Sequence, residues 1–202
     1  MCVPESEPGG VSGIGQMRYD AVRPASPASP NMSALFKRFL DLALMRLPPQ
    51  AFPASRFLFG VVLAAFMLMA MLSNFLVTQD AGYSIARGIL SALLLGAGAA
   101  VILLVTQRPA RWLQTATALY GGEVVLIVFM LPILLAYLLD ISNVFIVISQ
   151  WLLILWEVVF IGHVYRNSLD TGMGAGVAIA FIYVIVSAVV EQSLIPFPEG
   201  AG

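Results

Sequence analysis

Residues 111–166 read RWLQTATALYGGEVVLIVFMLPILLAYLLD, then ISN, then VFIVISQWLLILWEVVFIGHVYR. Each arm is apolar for longer than the 18 residues at which a run reads as a membrane span, and the polar ISN between them reads as a turn. One acid sits in each arm, Glu123 on the way out and Glu157 on the way back. Asp140 at the turn lies 17 residues from each. At a rise of ~1.5 Å per residue both acids fall roughly 25 Å from the turn, at matching depth on facing helices. A bilayer core is about 30 Å thick, so this count puts them near the far membrane surface and away from the midplane.

The rest of the chain agrees with that hairpin. Of 202 residues, 60% are hydrophobic and only 10% charged, with a mean hydropathy of +0.93. Soluble domains carry nearer a quarter charged residues, so this is a membrane composition. The reading is an all-α fold: a polytopic membrane bundle of five transmembrane helices with an N-terminal interfacial amphipathic helix. The spans fall at about 57–77, 84–105, 116–139, 143–165 and 174–195, within a membrane domain over 55–196. Short connections make consecutive helices antiparallel neighbours. Five spans do not divide into two equal inverted halves, which counts against the commonest secondary-transporter plan.

Residues 1–31 are rich in Gly, Pro and Ser and read as a disordered tail, with Met17 or Met32 as alternative starts. The tail lacks the apolar core of a secretory signal peptide. Residues 32–49 form the amphipathic segment, with SALFKRFLDLALMRL (33–47) as its helix and Ser33 as N-cap. Lys37, Arg38 and Asp41 share one side of it, and Leu35, Phe36, Phe39, Leu40, Leu42 and Ala43 cover most of the remainder. Such a helix lies in the membrane interface or docks on a protein partner. Residues 197–202 are a short tail.

Basic residues set the orientation. Arg18, Arg23, Lys37, Arg38, Arg46, Arg56, Arg108, Arg111 and Arg166 fall on one side of the membrane and only Arg87 on the other. The positive-inside rule then places the N-terminus in the cytoplasm and the C-terminus outside. Small residues recur at four-residue spacing, at Ala92, Gly96 and Ala100 and at Gly172, Gly176 and Ala180, as helix-packing stripes or a dimer face. Pro132 kinks the third span.

Chemistry is sparse. The only cysteine is Cys2 and the only histidine His163, so no protein-only thiolate or imidazole metal site is expected. Met67, Met69 and Met71 spread around their helix and read as filler. Hydrolase, metalloprotease, phosphate-loop and dinucleotide motifs are missing, so the chain reads as non-enzymatic, without a catalytic residue or cofactor. Nothing suggests nucleic acid. The expected partners are the lipid bilayer and a membrane-protein partner or a second copy of the chain.

Glu123 and Glu157 carry two readings, since intramembrane acids are costly and usually face protein or water. In one they form a proton or cation site, because two carboxylates at one depth can share a proton. In the other they reach a wet interface and are held by Arg108, Arg111, His163 or Arg166. His163 shares a helical stripe with Trp156, seven residues before it, and not with Glu157. On the other side, Arg87 is placed to pair with Glu191 or Asp140.

The segment TALYGGEVVLIVFMLPILL (117–135) resembles the third span of Yip-type proteins, the Rab/Ypt-interacting membrane family, where a Tyr-Gly pair opens the helix and a proline follows. Tyr120, Gly121 and Pro132 occupy those positions, while Gly122 and Glu123 stand where the family pattern continues with Ser. WEVVFIGHVYRNSL (156–169) is similar to the fourth span of short bacterial Yip-like proteins through Trp156, Gly162 and His163. The resemblance covers roughly residues 33–195 and agrees with five spans. It implies a bacterial inner-membrane protein without known catalysis that organises or binds membrane components through its cytoplasmic face. The residue-level alternative is a small proton- or ion-coupled transporter using Glu123 and Glu157.

Overall fold

The computed structural model describes residues 32–139, 141 and 143–198. The expected tail over 1–31, the turn acid Asp140 and the last four residues lie outside them. Every regular element among the described residues is helical: α1 (Met32–Ala43), α2 (Arg56–Thr78), α3 (Ala81–Val105), α4 (Trp112–Leu138), α5 (Val144–Leu169) and α6 (Met173–Leu194), with 3-10 turns at Pro49–Ala51 and Pro109–Arg111. The last five helices are long and apolar enough to cross a membrane. Large apolar side chains lie exposed on all five, among them Leu68, Leu93, Leu135, Leu152 and Ile182. A belt of this kind suits a hydrocarbon surround and not water. The protein is an integral membrane protein.

Local chemistry fixes the helix ends. Ser55 caps α2 by accepting from Leu58 N, Asp80 caps α3 from Tyr83 N, and Asn143 caps α5 from Ile146 N. α2 and α5 close on Gln79 and Asp170 in the left-handed region, at φ 56° and 51°. Two expected boundaries move. α4 begins at Trp112 rather than Ala116, and α5 runs to Leu169 rather than Tyr165. Polar residues that looked like span ends bond inside the helices. Thr115 and Thr117 hydroxyls donate to Arg111 O and Leu113 O, and Asn167 Nδ2 donates to His163 O.

α1 starts one residue earlier than expected, so Ser33 lies within the helix and is not its cap. Nor does α1 simply rest on lipid. Phe39, Leu42 and Ala43 are buried against the bundle, and Phe39 packs over Gly121 of α4, where a Cβ would strike its ring. Phe52 stacks on Phe39 at 4.6 Å between ring centres. The partner on which this helix docks is its own chain.

α5 and α6 pack closely where Gly176 meets the Gly162 carbonyl, and Gly176 and Ala180 are both buried. Lipid supplies no hydrophobic drive between helices, so contacts of this closeness hold the pair by dispersion. Gly176 and Ala180 therefore pack within the chain, while Gly172 stands exposed before the helix.

The bundle has two distinct ends. At the Arg108 end, Asp170 takes hydrogen bonds from Arg108 and, at 2.9 Å, from Arg111, which also donates to Ser168 O. The Arg108 guanidinium, with Arg111 beside it, holds the Asp170 carboxyl below the usual carboxylate range. Above this clamp lies the densest packing, with Leu42, Phe52, Leu119, Phe160, Val164 and Tyr165 almost wholly enclosed. At the Asp80 end buried residues are few, and the space between helices opens.

Candidate functional site

Glycines set the rotation of α4. Gly121 admits Phe39 and Gly122 admits the ring of Phe160, so the next residue, Glu123, is directed into the bundle. Its side chain is inside the protein (8% exposed), and Oε1 finds no hydrogen-bond partner among the described residues. Glu123 and Glu157, the latter half-buried on α5, line one cavity of about 330 Å³ to which all five spanning helices contribute. It runs from the level of Leu95 and Ile161 to Asn74 and Glu191, about one turn from the Asp80 end. A second cavity of about 110 Å³, between α4 and α5 beside Met130 and Leu153, is bounded by the same two acids.

The polar groups of the larger cavity are already partly engaged. On α2, Ser73 Oγ and Asn74 Nδ2 both donate to Ala70 O, at 3.0 and 2.8 Å. From α3, Ser91 Oγ donates to Glu191 Oε1 at 2.6 Å. Arg87 lies 3.0 Å from Glu191 Oε2 and donates to Ile195 O at 2.8 Å. Tyr183 and Ser187 complete the α6 side. Glu191 is thus neutralised by Arg87, whereas neither Glu123 nor Glu157 meets a basic side chain among the described residues. A charge left unpaired away from water is costly, and a proton or a bound cation removes that cost.

No protein-family model, no curated protein and no solved structure matches this chain. The meaning of the site therefore rests on its own geometry.

That geometry sets the position of the acids along their helices. Glu123 stands near the middle of α4 and Glu157 near the middle of α5, because both helices extend a turn further toward the Arg108 end than the sequence indicated. At ~1.5 Å per residue each acid lies roughly 17 Å from that end of its helix. The expected holders are also elsewhere. Arg108 and Arg111 serve Asp170. His163 Nε2 lies 3.1 Å from Leu47 O, a hydrogen bond when that nitrogen carries the proton, and Arg166 pairs with no acid among the described residues.

The remaining candidates are structural. Tyr120 donates its hydroxyl to Ala92 O at 2.6 Å and packs its ring on Phe59 and Phe66, while Gly121 is the seat of Phe39. Trp156 Nε1 donates to Ala43 O at 2.8 Å. Trp156 and His163 do share a stripe, and its work is to hold the end of α1 and the connection beyond it. Arg87 pairs with Glu191, one of the two partners expected for it.

Sequence reading missed Glu191, Ser91, Ser73 and Asn74 as members of the site. A signal existed on α6: Tyr183, Ser187 and Glu191 recur at four-residue spacing and continue the face begun by Gly176 and Ala180. Ser73 and Asn74 likewise follow buried Phe66 and Ala70 on one side of α2.

Proposed function

We propose that this protein is a small transporter that couples solute movement to protons or cations through Glu123 and Glu157. One observation carries the reading: two carboxylates without basic partners share a cavity enclosed by five spanning helices, at mid-helix depth. Intramembrane acids facing a cavity mark ion and proton pathways far more often than they serve packing. In this conformation the cavity reaches toward the Asp80 end, and the packed layer of Phe39, Phe52, Phe160 and Tyr165 closes the other end. By the positive-inside rule the closed end faces the cytoplasm, in a bacterial inner membrane on the family resemblance. Alternating access then requires that layer to part.

The test is flux into liposomes holding the purified protein, driven by a pH or cation gradient. Glu123→Gln and Glu157→Gln are expected to abolish gradient-dependent flux while leaving the protein helical and monodisperse. Unchanged flux in both variants overturns the reading.

The Yip-like alternative, a non-enzymatic organiser of membrane components, draws on one observation: α1 exposes Phe36, Lys37 and Arg38 on the face turned away from the bundle. A partner protein or a second copy would engage that face. Cross-linking from Lys37 with no captured protein would count against it.

A further inference from the structure

The cavity's hydrogen-bonding balance says what kind of solute it takes, and this step rests on the transporter reading above. Every hydrogen of Asn74 or Ser73 that the structure assigns points to Ala70 O, and the Ser91 hydroxyl hydrogen points to Glu191. The Arg87 guanidinium is occupied by Glu191 and the Ile195 carbonyl. On the side chains lining the cavity these bonds leave an excess of acceptors, chiefly the carboxylates of Glu123 and Glu157, with one N–H of Asn74 as a spare donor. Tyr183 and Ser187 hydroxyls serve either way. The acidic pair does not stand alone as a feature, because Glu123, whose side chain lines the cavity, is more than nine-tenths buried and its Oε1 has no hydrogen-bond partner among the described residues.

An anion finds no free cation in such a place among the described residues, and an acceptor-only solute finds few donors. A metal ion is poorly served too, since no three acidic or imidazole side chains among the described residues converge as a metal site does. The walls between the polar groups are apolar or aromatic, with Phe66, Leu95, Ile127 and Tyr183. At about 330 Å³ the space lies at the lower end of the range of small-molecule sites, about 300–1,000 Å³.

We infer that the cavity binds a small protonated amine, its N–H groups shared between the Glu123 and Glu157 carboxylates and its carbon body against the aromatic wall. Ammonium and carboxylate then satisfy each other where neither is stable alone. Phe66 and Tyr183 lie along the same wall.

The experiment measures equilibrium binding of benzylammonium to the purified full-length protein, with benzyl alcohol and benzoate as near-isosteric probes. Benzylammonium is expected to bind, benzyl alcohol about tenfold or more weakly, and benzoate not at all, because each charge-assisted hydrogen bond contributes about 1.5–3 kcal/mol and ~1.4 kcal/mol is tenfold. Glu123→Gln and Glu157→Gln should lose benzylammonium binding, and Glu157→Asp, which keeps the charge, should retain it. Folding of each variant is checked by elution profile and helical content. Benzoate binding as well as benzylammonium, or wild-type affinity in both glutamine variants, overturns the inference. The two readings separate cleanly. Amine binding without gradient-driven flux supports the site and sinks the transporter. Flux of neutral solutes without amine binding sinks the amine and leaves the transporter standing.

Discussion

The two halves of this bundle are built on opposite terms. Toward the Arg108 end, α4 is enclosed at every residue from Thr115 to Glu123, and α5 from Phe160 to Tyr165. Toward the Asp80 end, α4 buries only Ile133 beyond Leu126, α5 buries nothing before Val158, and α6 nothing after Ala180. The first half packs glycine against aromatic ring and hydroxyl against hydroxyl, as Thr115 with Ser168 at 2.8 Å. The second leaves carboxylates facing space. Rigidity is concentrated on one side of the acids and room on the other, which is what a site needs if it is to be both held and reached.

This contrast breaks most decisively at the glycines. Gly176→Val drives a side chain into the backbone of α5, and Gly122→Val into the ring of Phe160. Each is expected to cost at or above the top of the ~1–3 kcal/mol range for overpacking, read as loss of thermal stability in detergent. Gly174→Val, with open space around the new Cβ, is the control and should cost far less. Truncations in the open half, Leu152→Ala and Val189→Ala, should stay within about 0.5 kcal/mol, since both side chains face outward. Equal losses in the two sets would erase the distinction between the halves.

A smaller effect is expected at the hydroxyl pair. Ser168→Ala removes the cross-helix partner of Thr115, whose hydroxyl still donates to Arg111 O, and should cost about 0.5–1.5 kcal/mol; a double-mutant cycle with Thr115→Val isolates the coupling.

Glu123→Gln sharpens the comparison from the other side. Removing an uncompensated carboxylate should leave the melting temperature unchanged or raise it, while gradient-driven flux is lost. A clear drop in melting temperature would mean that the acid is structural.

The least effect belongs to the Arg108–Asp170–Arg111 clamp, which is exposed. Because its folded value is depressed, the Asp170 carboxyl contributes stability that is fully present above the ordinary carboxylate range and is lost as pH falls through the lower folded value. Melting temperatures at neutral and strongly acid pH should therefore differ slightly more for the wild type than for Asp170→Asn.

Much of this was legible in the chain. Length and apolarity located five spans, and the symmetry of Glu123 and Glu157 about the turn put them on facing helices, which meet at one cavity. The length of those two helices was not legible. Thr115, Thr117, Asn167 and Ser168 look like the end of a span, yet they satisfy backbone and one another inside the helices, so the spans run on. The third acid escaped for a related reason. Its pairing with Arg87 was expected, but Glu191 looks like a polar span end, and only the approach of α3 to α6 brings Ser91 to it and sets it in the cavity. The docking of α1 was hidden because hydropathy cannot distinguish an apolar face that meets lipid from one that meets Gly121.

The attachment of α1 has a consequence for how the molecule is made. Ala43 O receives its hydrogen bond from Trp156, 113 residues later, and Leu47 O from His163. As the ribosome delivers the chain from its first residue, the N-terminal helix emerges long before the helix that fastens it exists. Throughout that interval its apolar side must shelter at the bilayer surface until α4 brings Gly121 to Phe39, and the arrival of α5 fastens its end. A nascent chain stalled before Trp156 would hold this helix on α4 alone, without the hydrogen bond that closes its end.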